Sequence, residues 1–251
     1  MEVHHHSHTE RKKWTHYFWE FFMLFLAVTL GFFVENQREH YIEHQREKQY
    51  ILNLLQDLER DTANFNSIIT VRHERQKQAF QLVALLYSPD RNKYLKDIYY
   101  YARQMPRLDV LFYPTNATMN QLKNSGALRL IKKINTVDSI VAYNTATEGF
   151  VQRQASEMET RNYLRQEMGN IFDASVLMSM IDTSALRFDQ VIIPPLIVKP
   201  LISQDQQTIN HFCASIQFIY AAGMISRTTS INLKKQAERL ILLLKKEYHL
   251  E

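Results

Sequence analysis

The sequence predicts an all-α protein: one N-terminal transmembrane helix that continues into an extracytoplasmic antiparallel helical bundle. Three observations predict it. Residues 14–34 (WTHYFWEFFMLFLAVTLGFFV) are a mostly apolar stretch behind a short basic tail. At about 1.5 Å per residue, a helix of that length reaches about 31 Å, enough to cross a hydrocarbon core. From Phe32 to Pro89 there is neither glycine nor proline, so nothing in the backbone stops that helix. With 5 Gly and 6 Pro in 251 residues, the chain also lacks the turn residues of an all-β fold.

An uncleaved anchor is expected rather than a secretory signal. No small-x-small site follows the apolar core, and Phe32 and Phe33 stand where cleavage wants small residues. Trp14, Tyr17 and Trp19 cluster at the start of the span, where amphipathic rings favour the headgroup level. Arg11, Lys12 and Lys13 abut the stretch on one side; Arg38, Arg46 and Lys48 follow on the other. The first three are contiguous and next to the core, which favours the N-terminus inside and the bulk outside. No second stretch has the length to span. The expected organisation is a cytoplasmic basic, His-rich tail (1–13), the transmembrane helix (14–34), a long juxtamembrane helix (35–90) and a helical bundle (91–251) packing with 35–90.

Beyond the anchor, Ile51, Leu55, Leu58, Thr62, Phe65, Ile69, Arg72, Gln76, Ala79, Val83 and Leu86 alternate by four and three, a coiled-coil-like seam. Its middle is polar, so packing there against other elements of the domain is expected. An unbroken helix from 14 to 87 would span about 110 Å, and a kink is expected. Residues 92–104 fit a second helix closed by Pro106, and 107–114 read as extended or loop. Thr115 or Thr118 is the expected cap of a short helix ending at Asn124-Ser125-Gly126. A short turn (127–133) precedes a long helix opened by Asn135 and running to about Gly169. Residues 182–200 are non-helical, since the double proline of Ile193-Pro194-Pro195-Leu196 forbids a helix interior. Ser203 with Gln206 reads as a capping box for a last helix over 204–248.

Composition excludes several functions. The formal charge of +4 is spread along the chain, leaving no basic stripe for nucleic acid. Cys213 is the one cysteine, so an intrachain disulfide is impossible; on an apolar helix face, it reads as a core residue. Ser-His-Asp, P-loop, dinucleotide-binding and Cys-based metal patterns are missing, and no cofactor is expected.

Three stretches carry a resemblance. They are the anchor with Glu20 and its exit Glu35-Asn36-Gln37-Arg38-Glu39, the segment Gln121-Leu122-Lys123-Asn124-Ser125-Gly126-Ala127-Leu128-Arg129-Leu130-Ile131-Lys132, and the ending Lys245-Lys246-Glu247-Tyr248-His249-Leu250. Together they resemble an uncharacterised family of single-pass membrane proteins of Bacteroidota-type bacteria, whose "LKxSGxLRLI" core the middle segment matches. The family's usual Asn-Trp after the anchor is Asn36-Gln37 here, so no role of that Trp carries over. The resemblance extends over the whole chain; it implies the bacterial inner membrane and periplasm, and no mechanism.

Among candidate sites, Glu20 comes first, because ionisable residues inside a span are costly and face a protein contact or water path. Its place near the inner interface also allows a snorkelling carboxylate, and His16 one turn earlier shares its face. His40-Tyr41-Ile42-Glu43-His44 matches the inverted zinc-protease pattern, but its polar juxtamembrane setting and want of a third ligand favour a solvated face. The tail His4-His5-His6-Ser7-His8 reads as a weakly chelating segment rather than a metal site. Asn124-Ser125-Gly126 reads as a helix stop whose backbone N–H groups resemble an anion-type turn. Ile193-Pro194-Pro195-Leu196 is a buried loop or an interaction segment. Tyr99-Tyr100-Tyr101 reads as core and rim.

The expected function is non-enzymatic. The periplasmic helical domain mediates assembly with another membrane protein or with further copies of itself, beside the lipid bilayer. The alternative is a periplasmic small-ligand sensor acting through a partner.

Overall fold

A computed structural model describes residues 14–186 and 191–250. The basic residues 11–13 and the His-rich tail lie outside them. Among the described residues there are six α-helices: α1 (Trp14–Tyr87), α2 (Leu95–Gln104), α3 (Ala117–Asn124), α4 (Ile134–Met168), α5 (Ala174–Ser179) and α6 (Gln206–Tyr248). The protein is all-α, with one isolated β-bridge pairing Ile181 and Ile192. The chain forms two compact units that divide between Tyr50 and Ile51.

In the first unit, α1 carries the apolar stretch, and none of its most apolar window is buried. It is the one described helix long and apolar enough to cross a membrane, a criterion that an N-terminal signal sequence also meets. α1 is helical from Trp14 to Tyr87, and residues 32–87 hold no Gly or Pro to end it.

In the second unit, residues 51–87 of α1 turn the expected seam inward; no seam position is exposed. Passing down α1, four levels succeed one another. Asp57 and Asp61 form the first, and the stacked Phe65 and Phe112, 4.1 Å apart, the second with Ile68, Phe150 and Leu233. Arg72 marks the third. Ala79, Leu82 and Leu86 enter the largest apolar core, with Tyr99 of α2, Leu164 of α4, Phe172 and Phe212. Each fully buried Leu, Ile or Phe contributes about 1.5–3 kcal/mol, and this core holds about half of the buried apolar side chains.

The direction of the long helices differs from the expected antiparallel bundle. Asp61 meets Tyr143 and Arg72 meets Glu157, so α1 and α4 run parallel. Glu157 meets Ser226, and Tyr87 meets Asn210, so α6 is antiparallel to both. The intervening α2, α3 and their loops carry the chain back, which frees α4 to start again alongside α1. The extended segment before α3 is held by Gln154, which accepts from Phe112 N–H (2.6 Å) and donates to Phe112 C=O (2.9 Å).

Local starts and stops also differ in places. α2 begins at Leu95 after a 3₁₀ turn at Arg91–Tyr94, rather than at 92. α4 begins at Ile134, a residue before the expected cap Asn135, and α5 is an additional short helix capped by Asp173. At α6 the cap is Asp205, whose carboxylate accepts from the N–H and hydroxyl of Thr208, while Ser203 only receives Asp205 N–H. A carboxylate is the stronger acceptor at the positive end of a helix. Neither Thr115 nor Thr118 caps α3. Asp57 accepts from Thr118 N–H (3.1 Å), and Asp61 accepts from Thr115 N–H and the Tyr143 hydroxyl, both at 2.7 Å. The cap is borrowed from α1.

Burial raises the Asp61 pKa above its ordinary 3.8, outweighing the hydrogen bonds that lower it. The folded state thus holds the proton more tightly than the unfolded chain. The stability this contributes is full below the ordinary value and lost as pH rises through the raised one. Asp61→Asn keeps an acceptor for Thr115 and cannot ionise. In thermal unfolding from about pH 4 to about pH 7, wild type should lose stability relative to Asp61→Asn, then run level with it once Asp61 is ionised.

Candidate functional site

Arg72, Glu157 and Arg161 build the third level of the bundle, and each is at least 96 % buried, with relative exposures of 1, 4 and 3 %. Their placement follows from helical spacing. Arg72 lies seven residues from both Phe65 and Ala79 on one face of α1, and Glu157 lies seven from Phe150 and Leu164 on α4. Arg72 grips Glu157 with two parallel N–H bonds of 2.9 and 3.1 Å. Arg161, one turn along α4, donates to the same carboxylate at 2.7 Å, and Ser226 of α6 closes the set at 3.0 Å. The other Arg161 nitrogen reaches the carbonyls of Met105 and Arg107. Burial by itself would raise the Glu157 pKa, but the two guanidinium groups outweigh it and hold the carboxyl below its usual range.

Outside this layer, Asp109 joins Arg75 (3.0 Å) and Arg107 (2.9 Å). A surface groove lies next to it, between residues 73–84 of α1 and 213–228 of α6. Its two parts share Phe80 and Tyr220. One part, about 310 Å³, is walled by Ala79, Val83, Ala84, Cys213, Ile216 and Gln217. The other, about 500 Å³, is walled by His73, Gln76, Lys77, Gln81, Met224, Arg227 and Thr228. No acidic residue lines either part; Lys77 approaches Glu74 at 3.8 Å beside it. Gln76 Nε2 and Arg227 Nε are buried donors without a hydrogen-bond partner. Phe80 is 72 % exposed, which a core residue would not be. Burial pushes the Cys213 thiol up to about 11, so this cysteine is an unreactive wall rather than a nucleophile.

The sequence-predicted residues do not converge on this place. His16 and Glu20 pair at 3.0 Å on the exposed apolar part of α1. His40 and His44 each face a glutamate one turn on, Glu43 at 3.9 Å and Glu47 at 3.5 Å. Among the described residues no cluster of three or more His, Cys, Asp or Glu is arranged to hold a metal. Asn124-Ser125-Gly126 ends α3 with Gly126 at φ 66°, in the left-handed region open to glycine. The Ser125 and Gly126 N–H groups bond the Gln121 and Lys123 carbonyls, as at a helix stop. In the extended segment, Ile193 donates to Met180 C=O and Pro195 is buried, while Pro194 and Leu196 are exposed. Tyr99 is in the core, with Tyr100 and Tyr101 at its rim.

Sequence reasoning missed the groove and the layer beneath it. One sign was present: Arg72 is the one charged residue among the seam positions.

Comparison with known proteins adds no relative. No family model, no curated protein and no solved structure matches the chain.

Removing the charge that two buried guanidinium groups share leaves both uncompensated. Glu157→Gln should therefore cost about 3–5 kcal/mol in denaturant unfolding, far above the effect of an exposed pair such as Lys123–Glu148.

Proposed function

We propose that this is a non-enzymatic, single-pass membrane protein whose helical domain assembles with another membrane protein. In this reading residues 14–34 are an uncleaved anchor in a bacterial inner membrane. The N-terminus is cytoplasmic and the bulk periplasmic, as the contiguous cations at 11–13 favour. The observation that carries the assembly role is the α1–α6 groove. It exposes Phe80 beside an apolar trough, and one end is rimmed by His73, Lys77 and Arg227 with no acidic residue in the lining. A partner helix with an apolar face and a carboxylate near one end matches that pattern in shape and charge. The Glu20–His16 pair supports the same reading within the bilayer, where a lone helix gains by turning a carboxylate toward a neighbour.

A second reading is a small-ligand sensor. The apolar part of the groove, about 310 Å³, falls in the size range of small-molecule pockets. An anionic amphiphile would place its tail there and its head near Arg227.

Gently solubilised membranes decide between them. A particle containing a stoichiometric second membrane protein, lost in both Phe80→Asp and Arg227→Glu but retained in the exposed control Lys96→Glu, is the expected result. A clean multiple of the 29.8 kDa chain mass would replace the foreign partner with self-assembly. A monomer whose mass none of these variants changes would overturn the assembly reading. Co-purification of a small amphiphile would then favour the sensor.

A further inference from the structure

We infer that the bundle holds a buried monatomic anion of the chloride type, in a small cavity beneath the groove. The cavity measures about 20 Å³, room for one water-sized occupant. Arg72, Arg75, Arg161, Gln76 and Gly223 stand in its wall, and the rest is mainly apolar. Arg72 Nε, Arg75 Nε, Arg161 Nε and Gln76 Nε2 are all buried donors with no hydrogen-bond partner. Arg72 and Arg161 are themselves only 1 and 3 % exposed. Four unanswered donors around one hole are costly unless something accepts from them.

The charge in this part of the fold points the same way. Arg72, Arg75 and Arg161 are answered by two carboxylates, Glu157 and Asp109, and Asp109 is shared with Arg107. Glu157 is fully engaged: Oε1 receives Arg72 and Arg161, and Oε2 receives Arg72 and Ser226. Asp109 Oδ1 is unpartnered, but Asp109 is not part of the wall. A water in the cavity finds acceptors for its two hydrogens in the Gln76 amide oxygen and the Tyr220 hydroxyl, but it accepts from two donors at most and leaves the positive charge unanswered. A halide needs no acceptor, takes more than two donors and offsets the excess positive charge.

Gly223 fits the same picture. It lies inside the 43-residue α6, where alanine is the better helix former. A Cβ there would meet nothing nearer than Gln76 Nε2 at 4.0 Å, so packing does not demand a glycine. What the missing methyl leaves open is the cavity.

The test is thermal unfolding of the full-length protein in detergent, titrated with sodium chloride or bromide against sodium gluconate at constant ionic strength. The halides should raise Tm along a saturating curve, by about 3–6 °C at tenfold excess over Kd. Gly223→Ala should keep or raise the halide-free Tm and abolish the halide-dependent rise. Gln76→Leu, which removes one donor to an anion, should shift the midpoint by about tenfold. Bromide-containing crystals should show anomalous density in contact with the Arg72 and Arg161 Nε atoms. A linear response with no saturation, a saturating response unchanged by Gly223→Ala, or a cavity with no bromide signal would each overturn the assignment.

Discussion

The bundle depends on one ionic layer, the Glu157 carboxylate shared by Arg72 and Arg161. It joins three long helices at one level: α1 through Arg72, α4 through Glu157 and Arg161, and α6 through Ser226. Through the Met105 and Arg107 carbonyls it also fixes the loop after α2. The layer is costly in desolvation, and apolar residues of equal volume would stabilise as well or better. Its contribution is specificity. Two apolar clusters of similar character lie on either side of it, one around Phe65 and one around Phe212. Without a polar level between them, helices with seam-like faces could slide by one turn and bury similar area. A bidentate pair fixes the register, because a one-turn slip strands three charges.

The same layer shapes the surface above it. Arg72 and Arg161 occupy volume that apolar side chains would otherwise close, and Gly223 withdraws α6 by a methyl at the same height. The trough between α1 and α6 opens next to this level and continues along Ala79, Val83 and Ile216. A packing irregularity in the interior and a binding-sized depression at the surface are therefore neighbours, and Gln76 and Tyr220 line both.

Helix content was legible in the sequence because periodicity and the scarcity of Gly and Pro act locally. The inward seam of α1, the stop at Gly126 and the non-helical stretches 182–186 and 191–200 all follow from neighbours in the chain. Helix direction was not legible. That α1 and α4 run parallel follows from pairings such as Asp61 with Tyr143, 82 positions apart, which leave no local trace. The site was hidden for a related reason. Glu157 and Arg161 stand at an i,i+4 spacing common on solvated helix faces, and only α1 and the 105–107 loop bury them. Phe80 and Tyr220 carry no local signal of the groove, because only the tertiary fold decides which helix face is left uncovered. Where two local signals competed, as with Ser203 and Asp205 ahead of α6, the charged acceptor prevailed.

The borrowed cap of α3 has a kinetic meaning. At eight residues, α3 is too short to persist by itself, and its own cap position, Asn116, makes no side-chain cap bond. Its N-terminus is satisfied by carboxylates 61 and 54 positions earlier in the chain. Contacts of such separation become worthwhile only after loop closure, when α1 already stands in place beside α4. The 115–126 segment is then a late-ordering element and an early one to open under native conditions. The stretch that reads as most locally determined, with its glycine stop and compact motif, owes its order to the most distant residues it touches.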